Sequence, residues 1–228
     1  MIRVHQLSKR LRGEPVLEDV NLEVPDGSCV CVLGRSGAGK SVLLKIIVGI
    51  IPPDSGQVSY ENQRLNFGAL ADNRQIIMQT GFVFQGGALF DGMTVGDNIA
   101  LPLRERTNLS EQEINERVGR VLSRVGLAHS VRLKVRELSG GMVRLVAIAR
   151  ALVTEPKYIF FDEPTTGLDP LLKERVLGII KDLSRNGRSV LMVTHDLDFA
   201  RQIADQIYIM KAGRVYLVDR NVKKEDYE

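Results

Sequence analysis

The sequence is short of thiols, of net charge and of long apolar runs, and each shortage narrows what the chain does. Its only cysteines, Cys29 and Cys31, lie two apart on a strand, so their side chains share one face of it. Such isolated thiols pack as small apolar groups in a reducing compartment and make no disulfide framework. Thirty-one Lys and Arg against 28 Asp and Glu leave a net charge of +3. That balance is too even to mark a nucleic-acid binder, although a local basic patch can still face acidic lipid headgroups. The longest apolar runs are broken by Lys45 or by Pro52-Pro53, and nothing approaches the roughly 18 apolar residues that span a bilayer. No N-terminal stretch has the basic-then-apolar build of a secretion signal, so the expected location is cytoplasmic.

What is present is organised around Gly34-Arg35-Ser36-Gly37-Ala38-Gly39-Lys40-Ser41. It fits G-x-x-x-x-G-K-[ST], with the β-favouring run Val30 to Leu33 before it and the apolar helical pattern Val42 to Ile47 after it, which is the context of a P-loop. Glycines let successive N–H groups turn inward around a nucleotide's phosphates, and the helix opening at Lys40 adds unpaired donors and a positive dipole end. Lys40 is expected to reach the β- and γ-phosphates and Ser41 to ligate Mg²⁺. The alternative is a plain Gly-rich turn between strand and helix.

With 228 residues the chain can bury a full core as one large domain carrying an insertion. Ile2 to Ser8 and Leu22 to Val24 read as strands of an antiparallel ribbon, with turns at Gly13-Glu14-Pro15 and Pro25-Asp26-Gly27. Past the breakers Pro52 to Gly56, β alternation resumes over Gln57 to Tyr60, and Phe82-Val83-Phe84 is a further strand ending at Gln85. Val95 to Leu103 and Glu111 to Gly126 turn helical. Ser110 and Glu113 form a capping box, and Ile114, Val118, Val121, Leu122 and Val125 make one apolar stripe. Tyr158 to Asp162 and Ser189 to Thr194 are near-continuous apolar runs, as central parallel strands require. Leu172, Val176, Ile179, Ile180 and Leu183 mark the crossover helix between them. Ile207 to Met210 and Arg214 to Val218 read as a terminal hairpin, and Asn221 to Glu228 as a charged, frayed end.

Further stretches carry chemistry. Asp162 closes a buried strand, where a carboxylate can hold Mg²⁺ through its water shell, and Glu163 beside it can orient or deprotonate an attacking water. Read alone, Asp-Glu-Pro is a turn. Ser139 is a natural N-cap for an apolar helix from Met142 to Leu152, but Gly140 and Gly141 at its start lose backbone entropy unless something approaches closely, and a phosphate is the candidate. Asp169-Pro170 reads as an N-cap with Pro at the first helical position. Gln85 at a strand end can reach a metal and the attacking water. His195, after the strand ending at Thr194, stands where α/β ligands bind and is a candidate γ-phosphate contact.

Gly34 to Ser41, Gln85, Leu138-Ser139-Gly140-Gly141, Phe160 to Glu163, Gly167-Leu168-Asp169 and His195 together resemble, in order and spacing, the ATP-binding subunit of an ABC transporter. The resemblance implies an α/β fold with a P-loop (RecA-like) core, an antiparallel β subdomain and a helical insertion. The core would take about 1–85 and 156–228, and the helical subdomain with the signature motif about 86–155. It implies a head-to-tail homodimer around two ATP, each between one subunit's P-loop and the other's Ser139-Gly140-Gly141. On that model Glu163 is the catalytic carboxylate, His195 the γ-phosphate switch, Gln85 a catalytic and metal contact, and Asp169 a cross-dimer contact. Phe84-Gln85-Gly86-Gly87-Ala88-Leu89-Phe90, Asn98 to Glu105 and a signature ending Gly-Gly-Met narrow the resemblance to ATPases of the maintenance-of-lipid-asymmetry and mammalian-cell-entry lipid transporters. These imply an integral-membrane permease, a lipid-binding partner reached through it, and a peripheral place on the inner face of the inner membrane. An ATPase of a small-solute importer and a soluble, non-transport ABC ATPase are the alternatives. One departure stands out: ABC ATPases usually place an adenine-stacking ring near Leu11, and no Phe, Tyr or Trp occurs before Tyr60.

Overall fold

Strand β3 (Cys29–Leu33) separates two hydrophobic cores. Cys29, Cys31 and Leu33 point into one and Val30 and Val32 into the other, every one of them fully buried. A strand apolar on both faces belongs in the middle of a parallel sheet. The computed structural model, which describes residues 1–219 and 221–226, places it there. Around β3 stand β6 (Thr80–Val83), β7 (Tyr158–Asp162), β8 (Ser189–Thr194), β9 (Gln206–Lys211) and β10 (Arg214–Val218), in the order β10-β9-β3-β8-β7-β6. The pairs β6/β7, β7/β8, β8/β3 and β3/β9 are parallel, and β10 closes the edge antiparallel to β9. Burial pushes the Cys29 thiol up to about 12 and the Cys31 thiol well above its ordinary value, as expected of inert packing groups.

The N-terminal ribbon is β1 (Ile2–Leu11) and β2 (Glu14–Val24). With β4 (Ser55–Tyr60) and β5 (Gln63–Arg64) it forms a second sheet of order β2-β1-β4-β5. Ile2, Val4, Leu7, Leu17, Val20 and Leu22 from this sheet pack with Val30, Val32 and helix α1 (Lys40–Ile47) in one core. After α2 (Arg74–Met78) and β6, the chain turns helical with α3 (Val95–Arg106), α4 (Glu111–Arg124) and α5 (Gly140–Leu152). The capping box forms as expected: Glu113 N–H donates to Ser110 Oγ at 3.3 Å, and Ser110 N–H donates to Glu113 Oε2 at 2.8 Å. Ile114, Val118, Val121 and Leu122 then pack with α3 and α5 in the core that takes Cys29, Cys31 and Leu33. Helix α6 (Pro170–Arg185) crosses from β7 to β8, and α7 (Leu197–Ile203) leads to β9.

The structure corrects the sequence at several points. Strand β6 stops at Val83, so Phe84 and Gln85 belong to the loop beyond it. Leu89 and Phe90, adjacent on the loop beyond Gln85, differ in exposure: Leu89 packs against the helical core, while Phe90 is 53% exposed. The expected frayed end is anchored at Val222, which is buried and whose carbonyl accepts from Arg201 Nη2 at 2.5 Å; Tyr227 and Glu228 lie outside the described residues. No described helix is long and apolar enough to cross a membrane.

Candidate functional site

Register gathers the ends of β3, β8, β7 and β6 at one edge. Leu33 is level with Thr194, Val193 with Asp162, and Phe161 with Val83. Gly34, His195, Glu163 and Phe84 therefore leave from the carboxyl edge, where ligands of open α/β sheets bind. Glu163 and Gly34 stay tied to it, their N–H groups donating to the carbonyls of Val193 and Thr194 at 2.9 and 3.3 Å.

The loop from Gly34 to Gly39 needs its glycines for two reasons. Gly37 and Gly39 have φ of +82° and +102°, the region that L-residues with a Cβ disfavour. A Cβ on Gly34 would stand 2.9 Å from the Met210 carbonyl, and one on Gly39 2.9 Å from that of Val16. The loop thus lies against β9 and β2 at backbone contact. Helix α1 starts from Gly39 without a side-chain cap, whereas Thr94, Ser110, Ser139, Asp169 and Asp196 cap α3, α4, α5, α6 and α7. An uncapped N-terminus offers its first N–H groups and dipole to an anion, so the loop fits a phosphate chain.

Lys40 Nζ donates to the carbonyls of Gly34 and Arg35 at 2.7 and 3.0 Å and lies 3.2 Å from Glu163 Oε1. Ser41 Oγ donates to Asp162 Oδ1 at 2.8 Å. A hydroxyl and a carboxylate in contact are a hard-oxygen pair that suits Mg²⁺, which takes few protein ligands and keeps the rest for water and phosphate. Glu163 Oε2 accepts from the Thr166 and Thr194 hydroxyls, each at 3.2 Å, and is 2.9 Å from His195 Nδ1. Its backbone is held at φ +49°, a conformation that costs a non-glycine residue about 1–2 kcal/mol and that aims the carboxylate across the edge. Glu163 is buried and His195 exposed, so the pair joins the interior to the surface.

Burial pushes the Asp162 carboxyl above its ordinary 3.8; the Ser41 hydrogen bond opposes this, Glu163's charge adds to it, and Lys45 and Lys40 pull it back. With the folded value raised, ionised Asp162 destabilises the nucleotide-free fold above that value, and the penalty vanishes as pH falls below 3.8, where both states are protonated. Asp162→Asn is therefore expected to raise the Tm of the nucleotide-free protein at pH 7 and to weaken Mg-ATP binding. Each kcal/mol of relief is worth about 2–4 °C in a chain of this size. Thermal melts across pH check it; a Tm that falls, or a gain that persists below pH 3.8, contradicts it.

Ser139, Gly141 and Asp169 line a different pocket of about 640 Å³ with Leu171, Leu172 and Arg175. Its lining includes neither Gly34 to Ser41 nor Asp162, Glu163 and His195. Ser139 Oγ accepts from Met142 N–H at 3.2 Å, and Asp169 Oδ1 accepts from Leu172 N–H at 2.9 Å with Pro170 opening α6, both as the sequence implied. A Cβ on Gly141 would meet Leu172 Cδ2 at 2.3 Å, the end of a side chain that can turn aside, while around Gly140 the space is open. Gln85 is exposed on the loop after β6, at the same sheet edge.

Sequence reasoning missed three residues near Glu163. Thr166 and Thr194 are its hydroxyl donors. Arg144 is buried, donates to the Phe84 carbonyl at 3.0 Å, and faces Asp162 and Glu163 with its charge. Arginine inside the apolar run Met142 to Leu152, at Arg144 and again at Arg150, was the available signal. Leu11 is exposed, and the side chain that closes on Gly39 is the aliphatic Val16, its Cγ1 3.1 Å from a Cβ built there.

A family model described as ABC transporter matches residues 17–166. The chain is 38% identical over 215 residues to the glutamine transport ATP-binding protein GlnQ of Geobacillus stearothermophilus, covering 94% of this chain and 88% of that one. It is 36% identical over 216 residues to the intermembrane phospholipid transport system ATP-binding protein MlaF of Haemophilus influenzae, covering 94% and 82%. It also matches methionine import ATP-binding proteins, and spans 65% and 59% of the length of two of them. Among solved structures, the dimeric post-hydrolysis state of the ATP-binding cassette MJ0796 bound to ADP and Pi superposes with a TM-score of 0.90 at 32% identity, covering 98% of this chain and 100% of that one.

Proposed function

The chain belongs to the ABC transporter family and is an ATPase of that family, and from this premise we propose that it is the ATP-hydrolysing subunit of a transporter that moves phospholipid or another lipid. The observation that carries the catalytic part is the Glu163 carboxylate, held between Lys40, Thr194 and His195 beside the Ser41–Asp162 pair. Gly34 to Ser41 take the phosphates of ATP, and Lys40 turns from Glu163 to the β- and γ-oxygens. Ser41 and Asp162, with Gln85 joining them, hold Mg²⁺, which when bound neutralises charge on the phosphates. Glu163 orients and accepts a proton from the attacking water, and His195 contacts the γ-phosphate.

The other half of each site comes from a second copy. Ser139, Gly140 and Gly141 open a capped helix whose N-terminus is exposed, and Asp169 stands beside it. A head-to-tail homodimer brings these donors to the nucleotide on the partner's P-loop; a relative solved as a dimer supports that arrangement. The division into a core (1–85 and 156–228) and a helical subdomain (86–155) belongs to the same proposal, since closure moves one against the other.

Coupling to a permease uses the groove of about 550 Å³ lined by Phe82, Phe84, Ala88, Phe90, Leu101 and Pro102, among others. It is mostly apolar and borders the loop that carries Gln85, so a helix of an integral-membrane permease docks beside a residue that responds to nucleotide. A relative named for intermembrane phospholipid transport supports the lipid reading, and the permease then links the chain to a lipid-binding partner in the mammalian-cell-entry manner. A relative named for glutamine transport supports the alternative, an importer of small solutes. Phe90→Asp is expected to leave folding and ATP binding intact and to uncouple the subunit, lowering the lipid-stimulated ATPase of the assembled complex by about tenfold. ATP hydrolysis by the reconstituted complex, with phospholipid vesicles or amino acids supplied in turn, is the test. Stimulation by an amino acid with indifference to lipid overturns the lipid reading and leaves the family assignment in place.

A further inference from the structure

The loop that carries Gln85 is fastened along helix α5. Arg144 Nη1 donates to the Phe84 carbonyl at 3.0 Å. A Cβ on Gly87 would stand 3.1 Å from Val143 Cγ1 and 3.6 Å from Ala147 Cβ, so the loop backbone already touches the helix surface there. One helical turn on, Arg150 forks: Nη2 donates to the Gly87 carbonyl at 2.8 Å and Nη1 to the Ala88 carbonyl at 2.7 Å. These contacts run down one face of α5, from Val143 through Ala147 to Arg150. The backbone they hold is not a relaxed one. Gly87 and Ala88 have φ of +78° and +49°, and Ala in that region persists only when its surroundings impose it. Beyond them, Asn98 fixes Phe90 from both sides, its Oδ1 accepting from the Phe90 N–H at 2.8 Å and its Nδ2 donating to the Phe90 carbonyl at 3.1 Å.

We propose that Arg150 is a positioning residue that makes the Gln85 loop and the Ser139–Gly141 helix start one rigid body, so that the nucleotide engaged by α5 on the partner sets the position of Gln85 at the nucleotide bound in the same chain. This rests on the head-to-tail dimer of the preceding subsection. The chemistry suits the role. A guanidinium presents two parallel donors that match adjacent carbonyls, it carries no alternative protonation state at working pH, and its partners here are backbone groups that no side-chain substitution removes. Arg144 shares the work nearer the sheet, but its charge also faces Asp162 and Glu163, so its removal would confound positioning with electrostatics. Arg150 isolates the mechanical part.

The test is a double-mutant cycle on the full-length protein, reading steady-state hydrolysis against ATP concentration. Arg150→Lys keeps the charge and reaches one carbonyl only, and Arg150→Gln keeps a donor without the fork. If Arg150 acts through Gln85, both variants keep the wild-type ATP affinity and lose about tenfold in kcat, the upper part of the range for a residue that works through coupling. In a Gln85→Ala background the same changes cost nothing further. A full repeat of the loss in that background, or an unchanged kcat in both variants, overturns the proposal. ATP-driven dimerisation of Glu163→Gln, measured in parallel, reports on the dimer itself: its failure there sinks the underlying reading, whereas dimerisation with an additive cycle sinks the role of Arg150 alone.

Discussion

Glu163→Gln is expected to bind Mg-ATP as tightly as the wild type, to lose turnover by about 10²–10⁴-fold, and to accumulate as an ATP-bound dimer. The amide keeps the volume and the acceptor oxygen that meet Thr166 and Thr194, so the strained backbone at φ +49° stays supported. What it loses is basicity and charge. Loss of the charge also removes the ion pair with Lys40 at 3.2 Å, which frees that ammonium for the phosphates and keeps affinity from falling. Hydrolysis stops because a neutral amide accepts no proton from water at the point of attack. Gel filtration with Mg-ATP beside an ATPase assay checks both halves. A variant that stays monomeric and hydrolyses at the wild-type rate removes Glu163 from the chemistry.

Lys40→Ala and Gly140→Asp are each expected to abolish hydrolysis alone and to restore it when mixed. One variant lacks the phosphate lysine and the other blocks the helix start, so in a head-to-tail pair one composite site carries both defects and the other carries neither. Random pairing in a two-fold dimer then returns about a quarter of the wild-type rate, since about half of the dimers are mixed and each has one working site. Gly140 is the position to change. An Asp there projects into open space, whereas at Gly141 it would first have to turn aside the Leu172 side chain of its own chain. A negative side chain at a helix N-terminus that must face phosphate repels it directly. If the mixture stays as inactive as its components, with both variants folded by circular dichroism, the two motifs serve the same subunit's nucleotide.

The parts of the site legible in the sequence were those whose chemistry is local. Gly37, Gly39 and the Lys40 helix start follow from backbone requirements written within eight consecutive residues, and the Ser110, Ser139 and Asp169 caps follow from residue type and spacing. The buried strands at Tyr158 and Ser189 were legible because continuous apolar runs bounded by turns have few other uses. What escaped was set by register between distant strands. Thr194 reaches Glu163 because Val193 is level with Asp162, and no spacing within either strand reports that alignment. Strand order is non-local in the same way: β3 lies between β9 and β8, which are the last parallel strands in sequence. Phe84 read as strand because its ring suits one; it lies against Phe82 instead, centroids 4.3 Å apart, beyond the last paired residue. Leu89 packs inward because Arg150 draws the short loop onto α5, a long-range contact that the loop's apolar, Gly-rich sequence does not report. Short α2 and α7 left no periodic signal long enough to read.

The composite site needs two copies of the chain to meet head to tail across ATP, and an interprotomer cross-link measures that directly. Ser36 and Ser139 are both exposed, one on the P-loop and the other at the start of α5. The natural thiols will not interfere, because Cys29 and Cys31 are fully buried. Ser36→Cys and Ser139→Cys are made in separate Glu163→Gln chains, mixed, and oxidised with and without Mg-ATP. A disulfide-linked dimer that forms between the two variants with Mg-ATP, and neither without nucleotide nor from either variant alone, is the expected result. Cross-linking indifferent to ATP, or none while both thiols remain reactive to a soluble reagent and ATP is bound, would contradict the shared site.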